Sequence, residues 1–347
     1  MGLRLVVFQL VLLAVALPLA AAEASPAVCA PCHRAETQTF SRAGMARTLA
    51  SAANSRVLRT HPKLTGQIGQ YSYEIVRAGD ESVLTVSDGR RNLRAPLDWA
   101  FGAGVSAQTF AYRLDGQWYE SRVSYYSVLA GLDLTIGAPN AAPPSLLEAA
   151  GHLSKPLDMG KCFGCHATNV VKSPALDLSG MIGGVQCERC HGPSEAHLRA
   201  VRTGGPAASM RKLGGMTTEE TSDFCGQCHR TWAEIAAEGP HGIQNVRFQP
   251  YRLANSKCYD AEDPRIRCTA CHNPHRELET SADAYDAKCA VCHSAAARRT
   301  KASAHLCRVG TRDCAACHMP QLELPGAHRK FTDHRIRIAR ADEPYPD

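Results

Sequence analysis

Cys187-Glu-Arg-Cys190-His191 is the stretch on which the reading of this 347-residue sequence turns, because the same Cys-x-x-Cys-His spacing returns six more times. The other copies are Cys29-Ala-Pro-Cys32-His33, Cys162-Phe-Gly-Cys165-His166, Cys225-Gly-Gln-Cys228-His229, Cys268-Thr-Ala-Cys271-His272, Cys289-Ala-Val-Cys292-His293 and Cys314-Ala-Ala-Cys317-His318. Two thiols three residues apart, followed at once by an imidazole, suit the covalent attachment of haem c. The sulfurs form thioethers to the porphyrin vinyl groups, and the His falls beneath the ring as an axial ligand to iron. One short turn must deliver all three groups to one macrocycle, which fixes the spacing. Zinc ribbons also pair Cys-x-x-Cys units but need no His after each second Cys. A disulfide framework suits an exported chain and leaves the His equally unexplained. A thioredoxin-like redox pair would occur once. Seven coincidences select haem, so seven covalently attached haems c are expected.

The chain has 15 His, and eight lie outside the motifs: His61, His152, His197, His241, His275, His305, His328 and His334. Seven six-coordinate irons need seven second ligands, so the supply just suffices and mostly bis-His haems are expected. Two axial imidazoles saturate the iron and favour electron transfer over chemistry on a substrate. The ordinary alternative for any one of these His is a surface or core residue held by a hydrogen bond. The candidate distal ligands are His61, His152, His197, His275, His305, His328 and His334. His241, in Gly-Pro-His-Gly, is the weakest of the eight, and Met45 is a thioether alternative at the first haem, although Met more often packs. A ligand close in sequence to a motif cannot easily travel round the ring edge to serve the same haem. His275, three residues after His272, and His197, six after His191, should therefore reach neighbouring haems and lock them together.

The motifs are unevenly spread. One lies near the start, none follows for about 130 residues, and six fall between Cys162 and His318. The dense part allots roughly 30 residues per haem, too few for an ordinary hydrophobic core. The expected fold is therefore mainly α with little regular structure, packed around haem, and carrying a small antiparallel β insertion. Helices are expected within Thr217 to Glu238 and after His191. Four domains follow: a signal peptide at 1–22, a first haem segment at 23–60, a β-rich insertion at 61–140 and a six-haem cytochrome domain at 141–347. The signal rests on Arg4, the apolar run Leu5 to Leu17 and the small residues Ala20-Ala21-Ala22 before Glu23. An uncleaved anchor is the alternative, though the run is short for a span of about 20 residues. The insertion rests on the alternation in Tyr71-Ser-Tyr-Glu-Ile-Val76 and Ser82-Val-Leu-Thr-Val86. It rests equally on Asp115-Gly116 between Thr109-Phe-Ala-Tyr-Arg-Leu114 and Trp118-Tyr-Glu-Ser-Arg-Val-Ser-Tyr-Tyr126, a hairpin signal. Its role is either a lid on haem edges or a docking or cavity-shaping element. Cys258 and Cys307 fall outside the motifs; in an oxidising compartment they are expected to pair, with free buried thiols as the alternative.

The formal charge of +6 changes meaning once haem is counted. Seven haems bring about 14 propionate charges and, when ferric, about 7 positive centres, leaving the oxidised mature protein near −2. The Arg and Lys are then propionate partners, and no nucleic-acid binding is expected.

The chain resembles the cytochrome c554-like multihaem proteins, related in haem packing to pentahaem nitrite reductase and octahaem hydroxylamine oxidoreductase. The resemblance is carried by Gly184-Val-Gln-Cys187-Glu-Arg-Cys190-His191-Gly-Pro193, Cys268-Thr-Ala-Cys271-His272-Asn-Pro-His275, Cys314-Ala-Ala-Cys317-His318-Met-Pro320 and Phe331-Thr-Asp-His334. Relatives with Val246-Arg-Phe-Gln-Pro-Tyr-Arg-Leu253 are often fused to helical repeats, which this sequence does not display. The resemblance implies near-parallel and perpendicular haem pairs and distal roles for His197, His275 and His334. Pentahaem nitrite reductase holds its catalytic haem through Cys-x-x-Cys-Lys; every motif here ends in His, so that activity is unsupported. The expected function is electron relay between redox partner proteins, in the periplasm or outside the cell, with no membrane span after signal cleavage. One alternative is an oxidoreductase with one open haem, best placed at His33, acting on a small nitrogen or sulfur compound. The other is a subunit of a larger, oligomeric cytochrome assembly.

Overall fold

Between Lys63 and Leu134 the strands alternate inward and outward side chains, with two breaks in register, and curl into a nearly closed sheet. In the computed structural model, which describes residues 26–170, 176–206, 210–294, 307, 309–340 and 343–346, one antiparallel path runs through seven strands. They are β2 (Lys63–Ile68), β3 (Tyr71–Ala78), β4 (Glu81–Ser87), β5 (Asn92–Phe101), β6 (Ala107–Leu114), β7 (Gln117–Tyr126) and β8 (Gly131–Leu134). Two further strands join its flanks: β1 (Leu49–Ser51) pairs with β5, and β9 (Gly151–Ser154) pairs with β7. The expected signal segment and His305 lie outside the described residues.

Register explains the core. Leu64 faces Ile75, Ile75 faces Leu84, and Leu84 faces Ala95, giving one continuous row across four strands. All four residues are buried, as are Tyr73, Val86, Phe110, Tyr112 and Val123. Helices α3 (Arg56–Thr60) and α4 (Leu146–Ala150) add Val57, Leu58, Ala149 and Ala150 to the same cluster. The β6–β7 turn forms as its chemistry requires: Asp115 (φ 50°) and Gly116 (φ 76°) both sit in the left-handed region of a two-residue hairpin. Register shifts at Leu97/Trp99 and Thr109/Ala111 tighten the curvature. Closure depends on two glycines. A Cβ at Gly66 would lie 2.5 Å from the Leu132 carbonyl oxygen, and one at Gly131 would lie 3.2 Å from that of Thr65. Backbone of β2 and β8 therefore meets where neither strand has a side chain.

This overturns the expectation of a mainly α protein with a small β insertion. Of the described residues 37% are helical and 24% are in strands, and the antiparallel sheet is large and almost closed. The alternation readable at β3, β4, β6 and β7 needed partners to close. β2, β5 and β8, with their Gly, Pro96 and short runs, supply them.

Helices carry the motifs. α1 (Pro26–Cys29) bears the first, with α2 (Arg34–Phe40) just after it, and α5 (Pro156–His166) ends on the second. α6 (Cys187–His191) is the third, followed by α7 (Glu195–Arg202); α8 (Thr218–His229) ends on the fourth and is followed by α9 (Trp232–Glu238) and α10 (Gln249–Ala254). α11 (Cys268–Cys271), α12 (Ala282–His293) and α13 (Cys314–His318) bear the last three. α8 starts with a capping box in which Thr217 and Glu220 satisfy each other's backbone N–H groups. The barrel meets this region through α5. Phe163, fully buried between the two motif cysteines, sits 5.6 Å from Trp99, 5.1 Å from Phe101 and 5.8 Å from Trp118 by ring centroids, all on the barrel's outer face.

Candidate haem centres

Imidazole pairs are the first geometric test of the motif reading. With a metal–imidazole bond of about 2 Å on each side of an iron, and about 1 Å more to each ring centre, two trans imidazoles place their centroids about 6 Å apart. Among the described residues, three pairs have that separation. His33 and His197 lie 6.5 Å apart, His191 and His275 6.0 Å apart with planes 11° from parallel, and His272 and His334 6.1 Å apart. Each pair joins a motif His to one from elsewhere in the chain.

Hydrogen bonds fix the tautomer. Nδ1–H of His166 donates to the Thr48 carbonyl (3.1 Å), that of His191 to Arg211 (2.9 Å) and that of His318 to Arg337 (2.9 Å). His229 Nδ1 faces Gln249 Oε1 at 3.3 Å. The Tyr285 hydroxyl donates to Glu279, which leaves its oxygen to accept from His272 Nδ1 at 3.3 Å. Engaging Nδ1 leaves the Nε2 lone pair as the ligating atom and orients the ring. Burial lowers the pKa of His166, His229, His272 and His275, and pushes His334 down to about 4. These rings are therefore neutral at physiological pH, the form that binds iron.

The anchor thiols form a connected series. The side chains of Cys29 and Cys187, of Cys225 and Cys268, and of Cys289 and Cys314 lie close enough to perturb one another's ionisation. Burial raises the pKa of Cys190 and Cys271, and Cys228 and Cys289 respectively lie near enough to add to the rise. Cys165 Sγ donates to the Gln227 carbonyl at 3.7 Å. Motif one thus abuts three, three abuts four, then five, six and seven follow in order, with motif two beside four. An open cavity of about 400 Å³ lies among motifs two, three and four, lined by Gly164, Thr168, Arg189, Arg211 and Gln227.

The surroundings fit haem. Helices α1, α6, α7, α11, α12 and α13 bury none of their own residues. Helices this short have no stability of their own in water, so something else must hold them. Buried Nε atoms of Arg47, Arg247, Arg267 and Arg337 have no hydrogen-bond partner among the described residues. Orphaned guanidinium donors are costly, and a propionate answers them well. No three His, Cys, Asp or Glu side chains converge as a zinc site would need among the described residues.

The family described as Cytochrome c554 and c-prime matches residues 147–192, which contain the second and third motifs. The multiheme cytochrome MtrA of Shewanella baltica (strain OS185) is 26% identical over 232 residues, 65% of this chain and 59% of that protein. The chain is a multihaem c-type cytochrome. It spans less than two thirds of the MtrA length it matches. Among solved structures, the outer cell wall cytochrome OcwA aligns with a TM-score of 0.43 and 13% identity, over 90% of this chain and 65% of that one.

The remaining candidate residues of the cytochrome fall in varied places. His61, at the end of α3, has Nδ1 3.2 Å from the Val57 carbonyl and its ring 5.1 Å from Tyr125, on the barrel. His152, on β9, lies 3.6 Å from Glu120; burial, and after it the Glu120 charge, raises the pKa of Cys162 in the second motif. His328 Nε2 lies 2.7 Å from Asp133 Oδ2, which ties the hairpin formed by Gln321–Glu323 and Lys330–Thr332 to β8. His241 is the N-cap of a 3-10 turn at Gly242–Arg247, and Met45 begins another at Met45–Arg47. Cys258 and Cys307 do not pair. Cys258 lies beside Cys289 and Cys292, and the Cys307 sulfur takes backbone N–H groups of Val309 and Gly310. Sequence reasoning missed the Nδ1 acceptors, most of them backbone carbonyls with no side-chain signature. It also missed the Trp99, Phe101 and Trp118 seat beneath the second motif; aromatic residues spaced along adjacent strands were its one legible trace.

Proposed function

We propose that this cytochrome is an exported electron carrier holding seven haems c, most of them ligated by two imidazoles. The observation that carries the reading is the set of imidazole pairs at 6.0–6.5 Å, each joining a motif His to a His distant in sequence. Iron held between two imidazoles has no position left for substrate, and electrons are what remains for it to exchange. His197 opposite His33 argues against an open first haem. The series of adjacent anchors supports hopping from motif one through three, four, five and six to seven, with motif two a branch against the barrel. Donor and acceptor would be redox proteins in the periplasm or outside the cell. No described helix is long and apolar enough to cross a membrane.

Mass spectrometry and electron paramagnetic resonance of the oxidised protein test the reading together. The mass should exceed that of the polypeptide by seven porphyrins, about 0.6 kDa each. The spectrum should be dominated by low-spin ferric signals. Fewer additions would overturn the count of seven, and a stoichiometric high-spin signal that a ligand such as nitrite converts to low spin would favour an oxidoreductase instead.

A further inference from the structure

Helix α10 carries no attachment motif, yet its Arg252 is 0% exposed. The helix lies in the stretch Val246-Arg-Phe-Gln-Pro-Tyr-Arg-Leu253, to which the haem motifs assign nothing. Arg252 Nε and Nη2 donate to the two carboxylate oxygens of Asp333, itself fully buried, at 2.8 and 2.9 Å. Nη1 donates to Asn245 Oδ1 at 3.2 Å and to the Pro346 carbonyl at 2.8 Å, and the guanidinium lies 4.5 Å above the Tyr345 ring. Asp333 also accepts from Arg337 Nη1 at 2.7 Å and from the Arg335 backbone N–H at 3.0 Å. A buried ion pair is a poor source of net stability, since desolvation offsets most of its attraction. What this one supplies is geometry.

The segment it clamps bears on three motifs. His334 follows Asp333 directly and faces His272 at 6.1 Å. The His334 carbonyl accepts from Ser256 Oγ at 3.1 Å, and Ser256 Oγ in turn accepts from the Ile336 N–H at 2.8 Å, so the backbone is held on both sides of the ring. Three residues on, Arg337 accepts His318 Nδ1–H through its carbonyl, and its own N–H donates to the His318 carbonyl at 3.1 Å. On the same helix Gln249 meets His229 Nδ1.

We propose that α10 is a positioning bracket for axial imidazoles at three haems. Arg252, through Asp333, sets His334 as second ligand at haem five, and through Arg337 it sets the orientation of His318 at haem seven. Gln249 sets His229 at haem four. This rests on the haem reading above. An imidazole that loses its Nδ1 acceptor or its backbone anchor becomes a weaker, misoriented ligand.

Arg252→Met and Asp333→Asn should each convert one low-spin ferric signal of the intact holoprotein to a high-spin one. Arg252→Lys, which keeps the charge but loses the two-pronged contact, should do so in part. Gln249→Leu should alter a different low-spin signal and create no high-spin iron. Haem number by mass is measured alongside. Wild-type protein lacking haem would remove the underlying reading. Full haem content with variant spectra superimposable on wild type would overturn the bracket alone. If Arg252→Met and Asp333→Asn fail to accumulate, Arg252→Lys and Gln249→Leu decide the matter, and unchanged spectra in both overturn it.

Discussion

The barrel and the motif-bearing half of this cytochrome are built on opposite principles. In the barrel, Leu64, Ile75, Leu84 and Ala95 form a buried row contributed wholly by side chains. In the other half, helices α6, α11, α12 and α13 bury nothing of their own. The largest wholly buried side chain there is charged, Arg252. The first region carries its core in its sequence; the second holds attachment points for a core brought by the cofactor. The two depend on haem to very different degrees.

The sharpest way to break this contrast is to make the chain where haem cannot be attached. The tyrosines of the barrel interior, among them Tyr73, Tyr112 and Tyr125, should keep their near-ultraviolet dichroism. The far-ultraviolet helical signal of residues 187–340 should be lost. Hydrogen exchange would locate the boundary. Protection persisting in α8 and α12 of the haem-free chain would show that this half has a core of its own.

Next in size is Phe163→Ala at the junction. Phe163 is fully buried against Trp99, Phe101 and Trp118, and truncating such an aromatic costs about 3–5 kcal/mol. Because Phe163 lies between Cys162 and Cys165, the loss should fall on both regions at once. Thermal unfolding followed separately by tyrosine dichroism and by the Soret band should shift to lower temperature in both. A shift in only one would mean the regions are energetically separate.

Legibility followed the same division, in reverse order of regularity. The motifs could be read without ambiguity because thioether chemistry demands three groups within five residues, whatever the fold around them. The pairing of His272 with His334 was harder to read, since it depends on Asp333 and Arg252, far apart in sequence and joined only by folding. In the barrel, β3, β4, β6 and β7 announced themselves through alternation and through Asp115-Gly116. β2, β5 and β8 did not. Gly66 in β2, Pro96 in β5 and the four-residue length of β8 each argue against a strand when read locally. Those departures are what allow the sheet to close, so the residues that hid the barrel are the ones that make it.

Gly66 gives the third prediction. Gly66→Val would drive branched atoms into the Leu132 backbone, only 2.5 Å from the Cβ position, at a cost of about 1–3 kcal/mol. The barrel transition should move down while the low-spin haem spectrum stays as in the wild type. A changed spectrum would mean that barrel closure is transmitted to the haems.

The smallest effect sharpens the contrast most. Ser145 caps α4 by accepting the Glu148 N–H at 3.2 Å, and Thr217 caps α8 by accepting the Glu220 N–H at 3.2 Å. Removing such a cap costs about 0.5–2 kcal/mol where a helix is free to fray. α4 is held by Ala149 and Ala150 against the barrel core, whereas α8 ends on Cys225 and Cys228, which two thioethers would pin to one rigid ring. Ser145→Ala should therefore lower the barrel transition by the usual amount, and Thr217→Ala should lower the haem-region transition by less, although its capping box is the more complete. Equal shifts would mean that covalent attachment contributes nothing to holding α8, and the distinction between a core of side chains and a core of porphyrin would fail at its most direct point of comparison.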